Sequence, residues 1–592
     1  MPPVRPRFWF SYFDLTCALF AAALWYLFPT AGPWPLLIAL LPWGGRFVQS
    51  KRPGIVTPYT LPLLLFAATA VLSLWAAHDV AAAWPKFWQI IGAILLFYAV
   101  AHGLRAGVPP RLYGWLFTGF GAILTLYFAA THDWAALPSH IPALTTIGQA
   151  LQAPLPLLPG HRLNPNVAGG MLAFAAPFAV VTAVTTAQAR RWAALFVAGS
   201  ALLLIVGGLL LSSSRGAWLA LFVALSLGAV WELLRFLAPH PARRRWYFLA
   251  CLLLGSIALA FLFSHPTAIT LLHRVAGGQE RLDVLRNSLI LVQDYPFIGA
   301  GLGGFMMLYV TYAMLLHVGY IVHTHNLFLD VAIEQGTAAL LLLAAAWLIF
   351  AMHLWRSAGR QQTRDPWLLA AALALLTILL HGMLDDIFYG SRALLLLFVP
   401  LAFTMTPPTP AQTAPPGRRS LRWPLGITLL TLLTLLLAGW QQQTLRARWF
   451  ANLAAVEQSR AELALYSWPE WPLQDATRRE LDLAPVIANY RRALSLDATL
   501  VSAHRRLGQI YLSLAEYEAA LAHLAVAYAA QPWDNATRQL YGEALIVNGQ
   551  VTEGAALWAT VSNRQNQLLA RSFWYDYLDD AQRAQWIQQG LP

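Results

Sequence analysis

Apolar runs of about twenty residues dominate this sequence, and twenty is what a helix needs to cross a hydrocarbon core of roughly 30 Å. Inside lipid every backbone polar group must be satisfied within the protein, which leaves helices and closed barrels as the only spanning structures. Candidate spans fall at 12–30, 33–45, 57–77, 86–104, 111–130, 166–187, 192–212, 217–237, 246–264, 336–354, 366–383, 389–405 and 424–440. The second is short and contains Pro42. Composition agrees, because 11% of the residues are charged where a soluble domain averages about 25%. The predicted fold class is all-α: a polytopic membrane protein with twelve to thirteen transmembrane helices.

The connections between these runs alternate in charge. Arg5, Arg7, Arg46, Lys51, Arg52, Arg105, Arg111, Arg190, Arg191, Arg235, Arg243, Arg244, Arg245, Arg356, Arg360, Arg364, Arg418, Arg419 and Arg422 fall on one side. The other side has few: Lys86, Arg162, Arg215, Arg274, Arg281, Arg286 and Arg392. Cationic loops stay in the cytoplasm, which puts the N-terminus inside and the long segment 265–335 outside. The thirteenth span carries the C-terminal region outside as well. The first span reads as an anchor, since residues 1–30 show no small-residue cleavage site. The net charge of +12 is dispersed over short loops instead of gathered on one face, which excludes nucleic acid as a partner. Cys17 and Cys251 each sit inside an apolar run and form neither a disulfide framework nor a metal site.

Residues 1–405 thus form a membrane domain. A Pro-rich linker at 406–423, "TPPTPAQTAPPGRRSLRW", leads to the additional span 424–440. Residues 441–592 change character, with 13 arginines and 15 acidic residues. Leu507, Gly508, Tyr511, Ala520, Leu524, Ala527 and Pro532 follow tetratricopeptide spacing, and Gly542 comes thirty-four residues after Gly508. Tyr490, Ala493 and Leu496 match the second helix of an earlier repeat. This tail resembles a tetratricopeptide-type helical solenoid, whose helix pairs bury their apolar faces by stacking and which would hold a protein partner or an acceptor.

An ionisable group near a span marks a functional site by default, and four polar clusters fall on the outer side. In "GHRLNPNVAGG" (160–170), Asn164-Pro165-Asn166 reads as a turn with Asn166 as helix cap, which accounts for the asparagines; Arg162 is less easily explained. In "LLLSSSRGAWLA" (209–220), Arg215 stands in a very short connection, where a guanidinium calls for a planar anion; a snorkelling interfacial arginine is the plain alternative. In "GGQERLDVLRNSLILVQDYPFIGAGLGGF" (277–305), Arg281 and Arg286 lie on an amphipathic stretch. "GAGLGG" satisfies G-x-G-x-x-G without the preceding strand of a dinucleotide site, so its glycines serve tight turns. In "HTHNLFLDVAIEQG" (323–336), a helix starting near Asn326 places Asn326, Asp330 and Glu334 on one face with His325 at its entrance. His323 and His325 lack a third ligand at a recognisable spacing, so no metal is expected and His323 reads as structural. Arginines beside one histidine suit an anionic, phosphate-bearing substrate and a proton acceptor for an attacking hydroxyl. No nucleotide donor is expected outside a cell, and with two lysines and no G-x-x-x-x-G-K a Walker A site is excluded, so the activated donor should be a lipid phosphate.

"NPNVAGG", "SSSRGAWLA", "DYPFIGAGLGGF" and "HTHNLFLDVAIEQG", in this order and separated by spans, resemble the O-antigen ligase family of bacterial membrane glycosyltransferases over residues 10–405. The resemblance implies a GT-C-like, metal-independent, inverting enzyme without a cofactor in the bacterial inner membrane. It would pass a glycan from an undecaprenyl diphosphate carrier to a hydroxyl acceptor on the outer face. It further implies that His325 activates the acceptor, that Arg215 contacts the diphosphate, and that a loop arginine assists, Arg281 fitting best with Arg286 as rival. Arg162, Asn326 and Asp330 complete the expected substrate-binding set. The sequence departs from the family pattern in Leu285, where tryptophan is expected, and in the extra span and helical tail. A lipid-linked polymerase or a protein O-oligosaccharyltransferase is the alternative within the class; a transporter, a flippase or a membrane scaffold lies outside it.

Overall fold

The apolar runs are helices. The computed structural model describes residues 8–51, 54–153, 162–237, 240–263, 279–315, 321–359, 365–407, 441–466, 473–561 and 565–591, and among these no strand occurs. The membrane region comprises α1 (Phe8–Leu27), α2 (Trp34–Ser50), α3 (Thr60–Ala76), α4 (Val80–Arg105), α5 (Pro110–Thr131), α6 (Pro142–Gln152), α7 (Pro165–Gln188), α8 (Trp192–Ser212), α9 (Arg215–Leu237) and α10 (Pro241–Phe263). After it come α11 (Gln279–Asp294), α12 (Phe305–Leu308, extended by a π turn over Tyr309–Met314), α13 (Leu327–Gly359), α14 (Pro366–Gly382) and α15 (Val399–Ala402). Seven of the described helices are long and apolar enough to cross a membrane, and five shorter apolar ones accompany them. The linker from residue 408 and the span expected at 424–440 lie outside the described residues.

Helix α7 is the centre of the bundle. It is apolar on every side, as a helix surrounded by others must be, and it packs against α5, α8, α9 and α14. Its start is set by Asn164, whose side chain accepts the Asn166 N–H while Pro165 occupies the first turn. The cap is therefore Asn164 and not the expected Asn166, because a proline at the first helical position moves the cap one residue ahead of it. Gly169 and Gly170 bring α7 close to its neighbours: a Cβ on Gly169 would meet Ser214, and one on Gly170 would stand 3.0 Å from the His381 ring.

Two expected spans are broken helices. The run expected at 336–354 belongs to α13, which begins nine residues earlier and is interrupted at Gly336 (φ +83°). A Cβ there would collide with the Phe297 carbonyl. The break frees backbone groups that lipid could not satisfy. The segment after α11 satisfies them: Ala300 N–H donates to Ile333 O at 2.7 Å, Gly301 N–H to Glu334 O, and Thr337 N–H to Pro296 O. Gly299, Gly301 and Gly303 all carry positive φ, so the "GAGLGG" glycines make the tight turns expected of them. The run expected at 389–405 is a 3-10 turn (Arg392–Leu396), the single turn of α15 and a second 3-10 turn (Phe403–Met405), with Pro400 denying the ladder one donor.

The C-terminal region is a stack of helix pairs built from α16 (Gln442–Leu463), α17 (Gln474–Glu480), α18 (Ala484–Leu496), α19 (Val501–Ser513), α20 (Tyr517–Ala530), α21 (Asn535–Val547), α22 (Val551–Trp558), α23 (Gln565–Tyr577) and α24 (Ala581–Gly590). Leu507, Ala520, Leu524 and Ala527 are buried between α19 and α20, and Trp558 between α21 and α22.

This stack docks on the segment that follows α11. Arg505 donates to both Asp294 carboxylate oxygens at 2.7 Å and to the Tyr312 carbonyl, and Arg506 Nε donates to Asp294 at 2.8 Å. Gln509 donates to Thr311 O, Tyr312 O–H to Glu462, and Asn452 Oδ1 accepts the Phe297 and Ile298 N–H groups. Asp294, Arg505 and Arg506 are all buried. The face of α19 therefore holds a segment of its own chain. The C-terminal stack lies at the same end of the bundle as the Gly336 break.

Candidate functional site

The turn 323–326 is built before it can act. Asn326 caps α13, its Oδ1 accepting the Phe328 and Leu329 N–H groups, so the helix starts where the sequence reading placed it. Thr324 N–H donates to Asp330 at 3.0 Å, which ties the turn back to the first turn of α13. Asp330 is buried beside Asp386 and, by accepting the Thr324 N–H, holds the turn from behind. Glu334, one turn further on, forms an ion pair with Lys86 of α4 at 2.7 Å, and Lys86 lies 3.9 Å from the centre of the Tyr389 ring. The stripe of Asn326, Asp330 and Glu334 exists, but its acids face a buried network and not a ligand.

His325 takes a left-handed backbone (φ +58°), rare for a residue with a side chain. That conformation aims its ring at Asp385, with Nδ1 3.0 Å from Oδ1. The other Asp385 oxygen accepts from the Asn166 side chain at 2.9 Å, and the Asp386 N–H donates to Oδ1. Burial by itself would raise the Asp385 carboxyl; the His325 hydrogen bond and the neighbouring histidines outweigh it and hold the group at about 2. With Nδ1–H given to that carboxylate, Nε2 is the ring nitrogen that could take a proton from a substrate. The His325 side chain keeps 29% of its surface exposed, so Nε2 can be reached. His323 packs on it, ring centres 4.3 Å apart, and its Nδ1 accepts the His325 N–H. Burial pushes His323 down to about 4, so it is neutral at neutral pH.

Asp385 is the residue the sequence reading missed. It lies 60 positions from His325, in "LDDIFYG", and two adjacent acids at the end of an apolar run were the available signal. Asn166 was read as a helix cap and instead orients the carboxylate. His323, His325 and Asp385 each offer a ligand atom within 4.8 Å of the others, which supplies the third donor absent from the linear spacing.

The cations are distributed unevenly around this turn. Arg281 of α11 donates to Leu384 O at 3.3 Å, next to Asp385, so it belongs to the site. Arg215 opens α9, where the helix N-terminus adds its own partial positive charge. Its neighbour Gly216 packs against His381 and Leu384, which brings the exposed Arg215 to the same end of the bundle. Arg286 is turned away, over the Trp533 ring of the C-terminal stack at 5.5 Å. With Asn326, Leu282, Leu285, Leu289 and Met383 it lines an open, apolar groove of 630 Å³. Arg162 pairs with Asp133 at 3.1 Å and is more than half exposed.

The site thus offers an oriented imidazole, guanidinium groups at a helix N-terminus and in the adjoining segment, and a greasy groove alongside. Such a set can take a proton from a hydroxyl and offset negative charge on a phosphate leaving group. Residues 200–344, which include Arg215, Arg281, Arg286 and His325, match the family model described as O-antigen ligase. Asn166 and Asp385 lie outside the matched stretch. No curated protein and no solved structure matches the chain. The match and the apolar helices support a multi-pass membrane protein performing glycosyl transfer of the ligase or polymerase kind.

Proposed function

We propose that this protein transfers a glycan from an undecaprenyl diphosphate-linked donor to a hydroxyl of an acceptor molecule at the outer face of the bacterial inner membrane. The observation that carries the reading is the Asn166–Asp385–His325 chain, which leaves an accessible imidazole nitrogen free to accept a proton. In this reading the acceptor hydroxyl gives its proton to His325 Nε2 as its oxygen attacks the anomeric carbon. The bond to the diphosphate breaks on the opposite side, with inversion. Arg215 and Arg281 offset the charge that develops on the departing diphosphate, and the apolar groove beside Asn326 accommodates lipid. The base needs Asp385 for its tautomer and orientation, not as a second proton acceptor. Arg162, paired with Asp133, has no part in the chemistry, and Asp330 positions the histidine turn. The tetratricopeptide-like stack acts first as a structural partner of the outer segment; its remaining exposed faces are where a protein partner would bind.

The test is transfer by purified protein in lipid, wild type against His325→Ala, with an undecaprenyl diphosphate-linked oligosaccharide and a set of acceptors. Transfer is expected to collapse in the variant, and the molecule carrying the glycan separates a ligase from a polymerase. Equal transfer by both proteins would remove His325 from the mechanism.

A further inference from the structure

We infer that the turn carrying His325 is an inhibitory site for a borderline divalent metal ion of the zinc class, bound by His323, His325 and Asp385. The inhibitory consequence rests on the proposed role of His325; the binding itself does not. The donor set is two imidazole nitrogens and one carboxylate oxygen, which suits zinc-class ions and not magnesium or calcium, whose sites are built from oxygen. His325 Nδ1 lies 3.0 Å and His323 Nδ1 3.8 Å from Asp385 Oδ1. Ligands about 2.0–2.2 Å from a tetrahedral ion stand roughly 3.4 Å apart, between those two values. All three donor atoms fall within 4.8 Å of one another, so small ring rotations complete the set. About a quarter of each histidine side chain is exposed, which gives an ion a path in.

Binding displaces two hydrogen bonds, His325 N–H to His323 Nδ1 and His325 Nδ1–H to Asp385. An ion on His325 Nδ1 takes the position of the proton given to Asp385, so the ring's remaining proton sits on Nε2. Nε2 then becomes a donor at the moment it should accept the acceptor's proton. The metal also takes the Asp385 oxygen that oriented the ring. A single ion therefore reverses the tautomer on which the base depends. His323 has no proton to move in the reaction, so its consequence here is to make the turn metal-sensitive.

The experiment uses full-length protein in lipid nanodiscs, purified without a histidine tag and stripped with chelator. Cobalt(II) alone is titrated first. One equivalent giving the intense visible absorption of a four-coordinate site is expected for wild type, and its loss is expected in both His323→Ala and His323→Gln, the second of which keeps an acceptor for the His325 N–H. In the transfer assay, zinc should abolish most wild-type activity, chelator should restore it, and the His323 variants should need at least about tenfold more zinc. Absence of the cobalt signal in wild type, or its persistence in both variants, overturns the site. Higher activity in zinc-loaded than in stripped protein overturns the inhibition and makes the ion a cofactor. Cobalt binding lost with His323, together with no transfer from any preparation, supports the metal site and counts against the glycosyl-transfer reading alone.

Discussion

Replacing Asp294 by asparagine tests how the C-terminal stack is held on the membrane domain. Asp294 accepts three hydrogen bonds from two guanidinium groups, at 2.7, 2.7 and 2.8 Å. The Arg505 and Arg506 side chains are 2% and 0% exposed, so neither can turn to water when the carboxylate is removed. Asparagine keeps the shape but cancels the charge and points an amide donor at donors. Removing one member of a buried charge set costs about 3–5 kcal/mol, since the charges left behind stay desolvated. At 1.4 kcal/mol per tenfold, that weakens docking by a factor of roughly 10² to 10⁴. Some of the loss is absorbed, because Arg506 also reaches the Tyr295 hydroxyl and lies 3.4 Å from the Tyr312 ring centre. The assay is amide hydrogen exchange of full-length protein in nanodiscs, read at Phe297 and Ile298, whose N–H groups are held by Asn452 across the same interface. Protection at both should fall by orders of magnitude. The triple change Asp294→Leu, Arg505→Leu, Arg506→Met should recover much of it, because apolar groups of similar volume replace buried ion sets at little cost. Unchanged protection in Asp294→Asn would refute the reasoning.

Four further outcomes are expected. Asp385→Asn leaves the His325 ring in place but favours the wrong tautomer, so kcat should drop on the order of 10³–10⁴-fold at nearly unchanged KM; a drop below tenfold would remove Asp385 from the positioning role. Arg215→Lys should lose most transfer at normal expression, since an ammonium cannot make the planar two-point contact with a phosphate. Gly336→Ala should destabilise by about 1–3 kcal/mol or more, given φ +83° and the Phe297 carbonyl in the way, and a lowered unfolding temperature would show it. Burial, with His504 and Arg491 nearby, pushes His523 down to about 4. The unfolded chain takes up that proton first, near pH 6.5, so stability from a neutral His523 is complete above that value and declines as pH falls from about 6.5 to about 4. Unfolding temperatures measured across that window should fall for wild type and fall less for His523→Gln.

The spans were legible because an apolar run of bilayer length has one plausible fate, and α7 and α8 begin and end within a residue or so of the runs read at 166–187 and 192–212. His325 and the Asn326 cap were legible because helix entry has a local grammar. Asp385 was not: it meets His325 only once the end of α14, at Gly382, comes against the start of α13, at Leu327, and nothing in the 59 intervening positions encodes that meeting. The Gly336 break was hidden for a related reason. A glycine inside an apolar run is tolerated in a helix, and only the segment 296–301 coming alongside makes it a place where the backbone turns out of register. Arg286 could not be separated from Arg281 by spacing, since both lie on α11; what separates them is that Trp533 sits beside one and Leu384 beside the other.

The Asp294 interface also fixes an order of events during biosynthesis. Arg505 follows Asp294 by 211 residues, so the segment that props open the Gly336 break is made long before the groups that hold it exist. Through that interval the newborn chain carries a carboxylate, two tyrosines and several backbone amides that have no partner yet. The chain's last quarter is therefore the keystone of an arch already standing, and a ribosome that stops early leaves a bundle with its helices laid down and one edge unfinished.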